Sequence, residues 1–256
     1  MTERDRLVQN FVSRSQWKTW TQIPIAGDAS ARRYTRLVND REAVILMDDP
    51  SDNGANTRVF ANLALQLKDM GLCPPDVLAH EPDLGIMILT DLGPEDFSSW
   101  LAKNPNEVSA LYRAAIDVLL HLQTQKSHID LPKMTPRIGG EMVKITAQHY
   151  RGKPAPELSV AGEQSLCDFA PVPDTLALRD FHAENLIWRP NKASTARVGL
   201  LDFQDAFLAP RGYDLASLLR DARRDIAPEV VDDMIDYFIE HSGDSQNFTA
   251  QLACLG

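Results

Sequence analysis

Asp180, Asn185 and Asp202 are the residues whose types and spacing could do chemistry. Asp180 follows the apolar run Thr175 to Leu178. Asn185 comes just before Leu186-Ile187-Trp188, and Asp202 ends the run Val198 to Leu201. That series reads as strand, polar loop, strand, turn, strand over residues 175–202. If the two later strands form a hairpin, the loop 179–185 lies beside the end of its second strand and the three side chains can converge. Two carboxylates and an amide oxygen make a hard, oxygen-rich site of the kind Mg²⁺ prefers. Phosphoryl transfer asks for little more: a metal to neutralise phosphate oxygens and a carboxylate to orient and deprotonate the attacking hydroxyl. Singly, each residue would be an ordinary turn residue, because Asp and Asn favour turns. The combination points to chemistry.

The elements that must position these residues fall into two halves. In the first, strands are expected around Ile23 to Ile25, Arg33 to Val38 and Ala43 to Met47. Ala26-Gly27-Asp28-Ala29-Ser30 is a small, polar turn, and Asn39-Asp40 reverses the chain. Phe60, Leu63, Leu67 and Met70 recur at helical steps over 56–70, with Gly71 as the stop. Gly85 to Leu89 reads as a buried strand, and Thr90 to Pro94 marks a change of direction. After it the pattern turns helical, with Leu111, Ala115, Val118 and Leu122 on one face of a helix over 106–125. A helix is expected near Glu141 to Tyr150, then Pro- and Gly-rich connections up to 175, and a last helical region over 213–239. The expected fold is α+β in two lobes: an antiparallel sheet lobe over 1–92 and a mainly helical lobe over 93–256.

Asp180-x4-Asn185 followed by Asp202-Phe203 resembles the catalytic loop and metal-binding motif of the aminoglycoside phosphotransferase/choline kinase group within the protein-kinase-like fold. Longer stretches are similar to the bacterial anomeric N-acetylmuramate/N-acetylglucosamine kinases of cell-wall recycling. These are Gly27 to Tyr34, Met47-Asp48-Asp49-Pro50, Arg179 to Leu186, Leu201 to Ala206, and Arg211 to Arg224. The resemblance implies an ATP- and Mg²⁺-dependent kinase that phosphorylates the anomeric hydroxyl of an amino sugar. It makes Asp180 the catalytic base and gives Asn185 and Asp202 the metal. Gly27, Asp28, Ala29 and Ser30 would form the loop over the phosphates. The strand end at Leu89 to Leu92, with Asp91, would be the hinge that reads adenine through backbone groups. Asp214 would brace the catalytic loop. Apart from the resemblance, Glu184 is a candidate either for supporting the site residues from behind or for contacting the sugar.

The chain departs from the protein-kinase pattern in places. No Lys occurs in Ala43 to Asp48, where Met47 stands about where one is expected, and the helix over 56–70 has no Glu to pair with it. Arg32 or Arg33 could supply the missing charge, since arginine suits bidentate phosphate contact. Leu178 stands where kinases often have a His. The chain ends at Gly256, sooner than the resemblance implies, so helices that cover the substrate site are expected to be missing.

Bulk properties exclude other classes. The net charge of -10 argues against a nucleic-acid surface. Cys73, Cys167 and Cys254 give no disulfide framework or zinc spacing, and suit a reducing compartment. His182-x-Glu184 lacks the Pro-Cys-x-x-Cys partner of a zinc deaminase, so His182 is read as bracing the loop. No apolar run could span a bilayer, and the charged N-terminus lacks a signal core, so a cytoplasmic protein is expected. Asp205 is read as either a pocket residue or a helix cap. Trp17, Trp20 and Trp100 read as packing residues or surface anchors, and Arg223-Arg224 as a solvated helix face, with contact to an acidic substrate as the second reading. Two alternatives stand beside the amino-sugar kinase: a kinase of another hydroxylated metabolite, such as an aminoglycoside or choline, and a non-catalytic nucleotide-binding protein.

Overall fold

A computed structural model describes residues 2–25, 31–51, 55–125, 130–243 and 248–256. The chain divides into two compact units, Met1–Pro94 and Glu95–Gly256.

The first unit opens with helix α1 (Glu3–Ser13). Its start is a capping box: the Asp5 amide donates to Thr2 Oγ1 at 3.1 Å and the Thr2 amide to Asp5 Oδ2 at 2.7 Å. Then come β1 (Thr21–Ile25), β2 (Arg33–Val38), β3 (Ala43–Asp48), α2 (Ala55–Asp69), β4 (Val77–Glu81) and β5 (Ile86–Thr90). The strands form one antiparallel sheet in the order β1-β2-β3-β5-β4. Asn39 makes the β2–β3 turn: its side-chain oxygen accepts the amides of Arg41 and Glu42, both at 2.8 Å. Alternation in β2 and β3 sends Leu37, Val44 and Leu46 to one face, where Ile86 and Ile88 join them against Val8 and Val12 of α1 and Trp17. The register pairs Arg33 with Asp48 and Tyr34 with Met47, so Arg33 lies on the face covered by α1 and Met47 on the other.

The second unit contains α3 (Phe97–Lys103), α4 (Val108–Gln123), α5 (Pro136–Arg151), α6 (Pro156–Phe169), β6 (Thr175–Ala177), β7 (Leu186–Trp188), β8 (Val198–Leu200), β9 (Phe207–Ala209), α7 (Tyr213–Leu219), α8 (Pro228–Ser242) and α9 (Phe248–Leu255). Two small antiparallel sheets, β6–β9 and β7–β8, carry the loops of interest. Helix α4 is the spine: Leu111, Tyr112, Ala115, Ile116, Val118, Leu119 and Leu122 are all fully buried. Helices α5 and α6 pack closely. A Cβ on Gly140 would stand 2.6 Å from the Ser159 carbonyl oxygen and 3.0 Å from the Glu163 amide.

The two-lobed α+β architecture agrees with the expectation, and several details correct it. The first residues form α1 rather than leading straight into strands, and β4 joins the sheet as an extra strand. Helix α6 occupies residues expected to be connections, while α3 and β9 are additional elements. The helical region over 213–239 is two helices, α7 and α8, broken at 220–227. Strand β8 stops at Leu200, so Asp202 lies just past the strand end rather than on it. Among the described residues, no helix is long and apolar enough to cross a membrane.

Candidate active site

Asp214 anchors the loop that carries Asp180. It sits in the first turn of α7, is 3% exposed, and accepts two backbone amides: Leu178 at 2.6 Å and Arg179 at 3.0 Å. Burial pushes its pKa up to about 7, against the pull of the two amide bonds. Holding both amides forces the backbone to turn sharply, and Arg179 takes φ +75°, a region costly for a residue with a side chain. Its guanidinium lies over the Phe207 ring, 5.9 Å from the centroid. The local strain is thus fixed from both sides.

Beyond this turn the loop closes on itself. The Asn185 side-chain amide donates to the Asp180 carbonyl at 2.9 Å and meets His182 Nε2 at 3.1 Å. Since the amide nitrogen can only donate, His182 Nε2 is the acceptor in this contact. His182 is buried, in keeping with its expected bracing part. The Leu201 amide donates to the Asn185 carbonyl at 3.0 Å, tying the loop to the residues leading to Asp202. Asp202 itself adopts φ +54°, and Gln204 Nε2 bonds Asp202 Oδ1 at 2.9 Å and Asp205 Oδ2 at 3.1 Å.

Asp180 is half-buried. Burial raises its pKa above the usual carboxylate value, and the negative charge of Asp202 raises it further. Arg179 and His182 oppose the shift, and Asp205 adds to it. Two carboxylates that repel one another across a loop are a place where a cation or a proton is needed. The donor set fits a hard metal in part. Asn185 spends its amide nitrogen inside the loop, which leaves its side-chain oxygen available to a metal. Among the described residues no group of three or more His, Cys, Asp or Glu side chains forms a closed cage. A metal here would therefore take ligands from its substrate as well, the usual arrangement for Mg²⁺.

The remaining expected residues fall in the first unit. Gly27, Asp28, Ala29 and Ser30 lie outside the described residues. Arg33 bonds Asp48 through Nε at 2.9 Å and Nη2 at 2.6 Å, and reaches Asp5 at 3.0 Å. Arg4 Nε approaches Asp48 from the other side at 2.7 Å. Arg32 Nε pairs with the buried Asp49 at 3.0 Å. The Asp91 carboxylate is held by Arg36 Nε at 2.6 Å and accepts the Gly93 amide at 3.0 Å, so its side chain secures the turn after β5.

Sequence reasoning passed over some partners. Asp205 caps no helix: it is exposed and bonds Gln204. Arg223 is not simply solvated, since it pairs with Glu184 at 3.4 Å and with Asp221 at 3.2 Å. The dense run of alternating charge from Arg220 to Asp225 was the available signal.

An antiparallel sheet unit followed by a helical unit with two small sheets defines the protein-kinase-like fold. Solved structures with this architecture include an aminoglycoside-3'-phosphotransferase of type VIII, with a TM-score of 0.70 at 14% identity and 100% of both chains covered. Another is the choline kinase LicA from Streptococcus pneumoniae, with a TM-score of 0.63 at 15% identity, covering 96% of this chain and 82% of that one. Residues 21–246 match the phosphotransferase enzyme family, and the chain belongs to it. Curated relatives named N-acetylmuramate/N-acetylglucosamine kinase are similar along most of the sequence. The one from Caulobacter vibrioides is 30% identical over 89% of this chain and 74% of its own length. The one from Neisseria meningitidis is 32% identical over 82% of this chain and 64% of its own length. The one from Pseudomonas aeruginosa is 27% identical over 78% of this chain, which spans 60% of that relative.

Proposed function

We propose that this phosphotransferase is a kinase that moves the γ-phosphoryl group of ATP to the anomeric hydroxyl of N-acetylmuramate or N-acetylglucosamine. The observation that carries the reading is the pairing of Asp180 with Asp202, a carboxylate with a raised pKa beside a second carboxylate, on a loop held rigid by Asp214. The acceptor is drawn from the curated relatives, which share one name.

In this mechanism Asp180 accepts the proton of the attacking hydroxyl and orients its lone pair. The raised pKa brings the base closer to neutral pH and so suits it to hold that proton while the bond forms. Asn185, through its side-chain oxygen, and Asp202 would hold Mg²⁺, which would supply charge neutralisation for the phosphate. The family resemblance gives Gly27, Asp28, Ala29 and Ser30, outside the described residues, the part of the phosphate loop. Arg33 stands three residues beyond that loop and keeps Asp48 as its counter-ion, while the backbone around Asp91 reads the adenine.

The test is ADP release with MgATP against N-acetylmuramate, N-acetylglucosamine, glucose, choline and kanamycin, with the product identified by phosphorus NMR. An anomeric sugar phosphate is the expected product. Phosphorylation of choline or kanamycin alone would replace the acceptor assignment, and nucleotide binding with no turnover on any acceptor would favour a binding protein.

A further inference from the structure

We infer that Arg223 reads a carboxylate on the acceptor, so that the preferred acceptor is an acidic sugar rather than a neutral one. The inference rests on the kinase reading above and deepens it at the acceptor end.

Asp221 lies just past the end of α7 and its side chain is 1% exposed. Its Oδ1 accepts the Arg223 backbone amide at 3.1 Å and Arg223 Nη1 at 3.2 Å. Its Oδ2 is buried without a hydrogen-bond partner among the described residues. A carboxylate this buried is costly and demands a cation. Two arginines follow it, and they behave differently. Arg224 turns inward, donating from Nη1 to Ser98 Oγ at 3.0 Å. Arg223 leans outward, with its side chain 52% exposed and Nε 3.4 Å from Glu184 Oε2.

Glu184 belongs to the short turn Ala183–Asn185 within the loop of Asp180. Arg223 is therefore one side chain away from the loop that carries the base. Its guanidinium is held at Nη1 and Nε, and among the described residues Nη2 meets no acceptor. An exposed ion pair such as Arg223–Glu184 contributes little stability. Stability alone leaves unexplained why a buried Asp fixes the base of a half-exposed Arg. Aiming that Arg at a ligand explains it. A planar fork with one nitrogen open suits a carboxylate, and Glu184, 47% exposed, can accept a sugar hydroxyl beside it. The two side chains together offer a donor for an acid and an acceptor for an alcohol.

N-acetylmuramate and N-acetylglucosamine differ by a lactyl ether that bears the carboxylate, so the two sugars isolate the contact. The experiment measures kcat and KM for both with wild type, Arg223→Gln, Arg223→Lys and Arg220→Gln, each first checked for a wild-type melting profile. In Arg223→Gln the ratio of kcat/KM for N-acetylmuramate over N-acetylglucosamine should fall about 10- to 100-fold, through KM. Arg223→Lys should recover part of the ratio, because it keeps the charge and loses the fork. Arg220→Gln, which removes an exposed charge from the same segment, should leave the ratio at the wild-type value. Equal losses on both sugars, or no change on either, would overturn the inference. Wild-type protein that phosphorylates neither sugar would instead contradict the kinase reading, and the inference would fall with it.

Discussion

At the residue scale, Asp214 does two things that can be separated by pH. Its carboxylate fixes the Leu178 and Arg179 amides, and its burial holds the proton up to about 7 where a free Asp loses it near 3.8. The folded state thus binds more protons than the unfolded state between those values. Its contribution to stability is fully present below the unfolded pKa and is lost as pH rises from about 4 to 7. Asp214→Asn cannot titrate and removes that part of the slope. Denaturant unfolding of both proteins should give a wild-type advantage that is greatest at the acid end and shrinks towards pH 7. An advantage that grew with pH would show that Asp214 is ionised throughout. The same residue accounts for Arg179 at φ +75°: the anchored amides hold a conformation that a free loop would relax.

At the element scale, the first unit is tied together by charge as well as by its core. Asp48 ends β3 with only 3% exposure, and both Arg4 of α1 and Arg33 of β2 close on it. Asp48→Ala leaves two cations facing one another without their counter-ion. The loss should be about 2 to 3 kcal/mol, below the value for a fully buried pair because Arg33 is half-exposed. Chemical denaturation measures it, and a change under 0.5 kcal/mol, the scale of ordinary surface substitutions, would reduce the clasp to a surface decoration. In the second unit, Gly140→Ala drives a methyl group into the backbone of α6. A cost of about 1 to 3 kcal/mol is expected, readable as a lower melting temperature, whereas an unchanged value would mean that α5 and α6 separate freely.

Elements with strong internal signals were legible in the sequence. Strands β2 and β3 alternate around an Asn turn, and α4 places an apolar residue on every turn. The elements that were missed lack such a signal. In α1 only Val8 and Val12 are buried, and in α6 only Ser159 and Leu166, so neither has a continuous apolar stripe. Strand β4 is an edge strand with one exposed and four half-buried residues. Strand β9 is a three-residue piece specified by pairing with β6. These depend on distant partners, which spacing along the chain does not reveal. The same limit applies to the candidate site. Asp180, Asn185 and Asp202 are visible as types at fixed spacing, whereas Asp214 comes only from the family resemblance. The ties from Gln204 to Asp202 and from Arg223 to Glu184 arise only on folding.

At the scale of the whole molecule, family membership and charge meet at one question. The chain carries a net charge of -10, yet the proposed chemistry brings a polyanionic nucleotide to a pair of carboxylates. A divalent cation would resolve the conflict, since a local ion outweighs a diffuse surface charge. MgATP at about 100 times its Kd should therefore stabilise the protein by about 2.7 kcal/mol, whereas ATP with excess chelator should give a much smaller rise in melting temperature. Equal stabilisation with and without the metal would remove Asn185 and Asp202 from the ligand set.

The most direct measurement is steady-state phosphorylation of N-acetylmuramate by wild type and Asp180→Asn, with MgATP affinity measured on the same samples. The account predicts a fall in kcat of about 100- to 10,000-fold with MgATP affinity kept within a few-fold. An Asp180→Asn protein that turns over at close to the wild-type rate would contradict the assignment of Asp180 as the base.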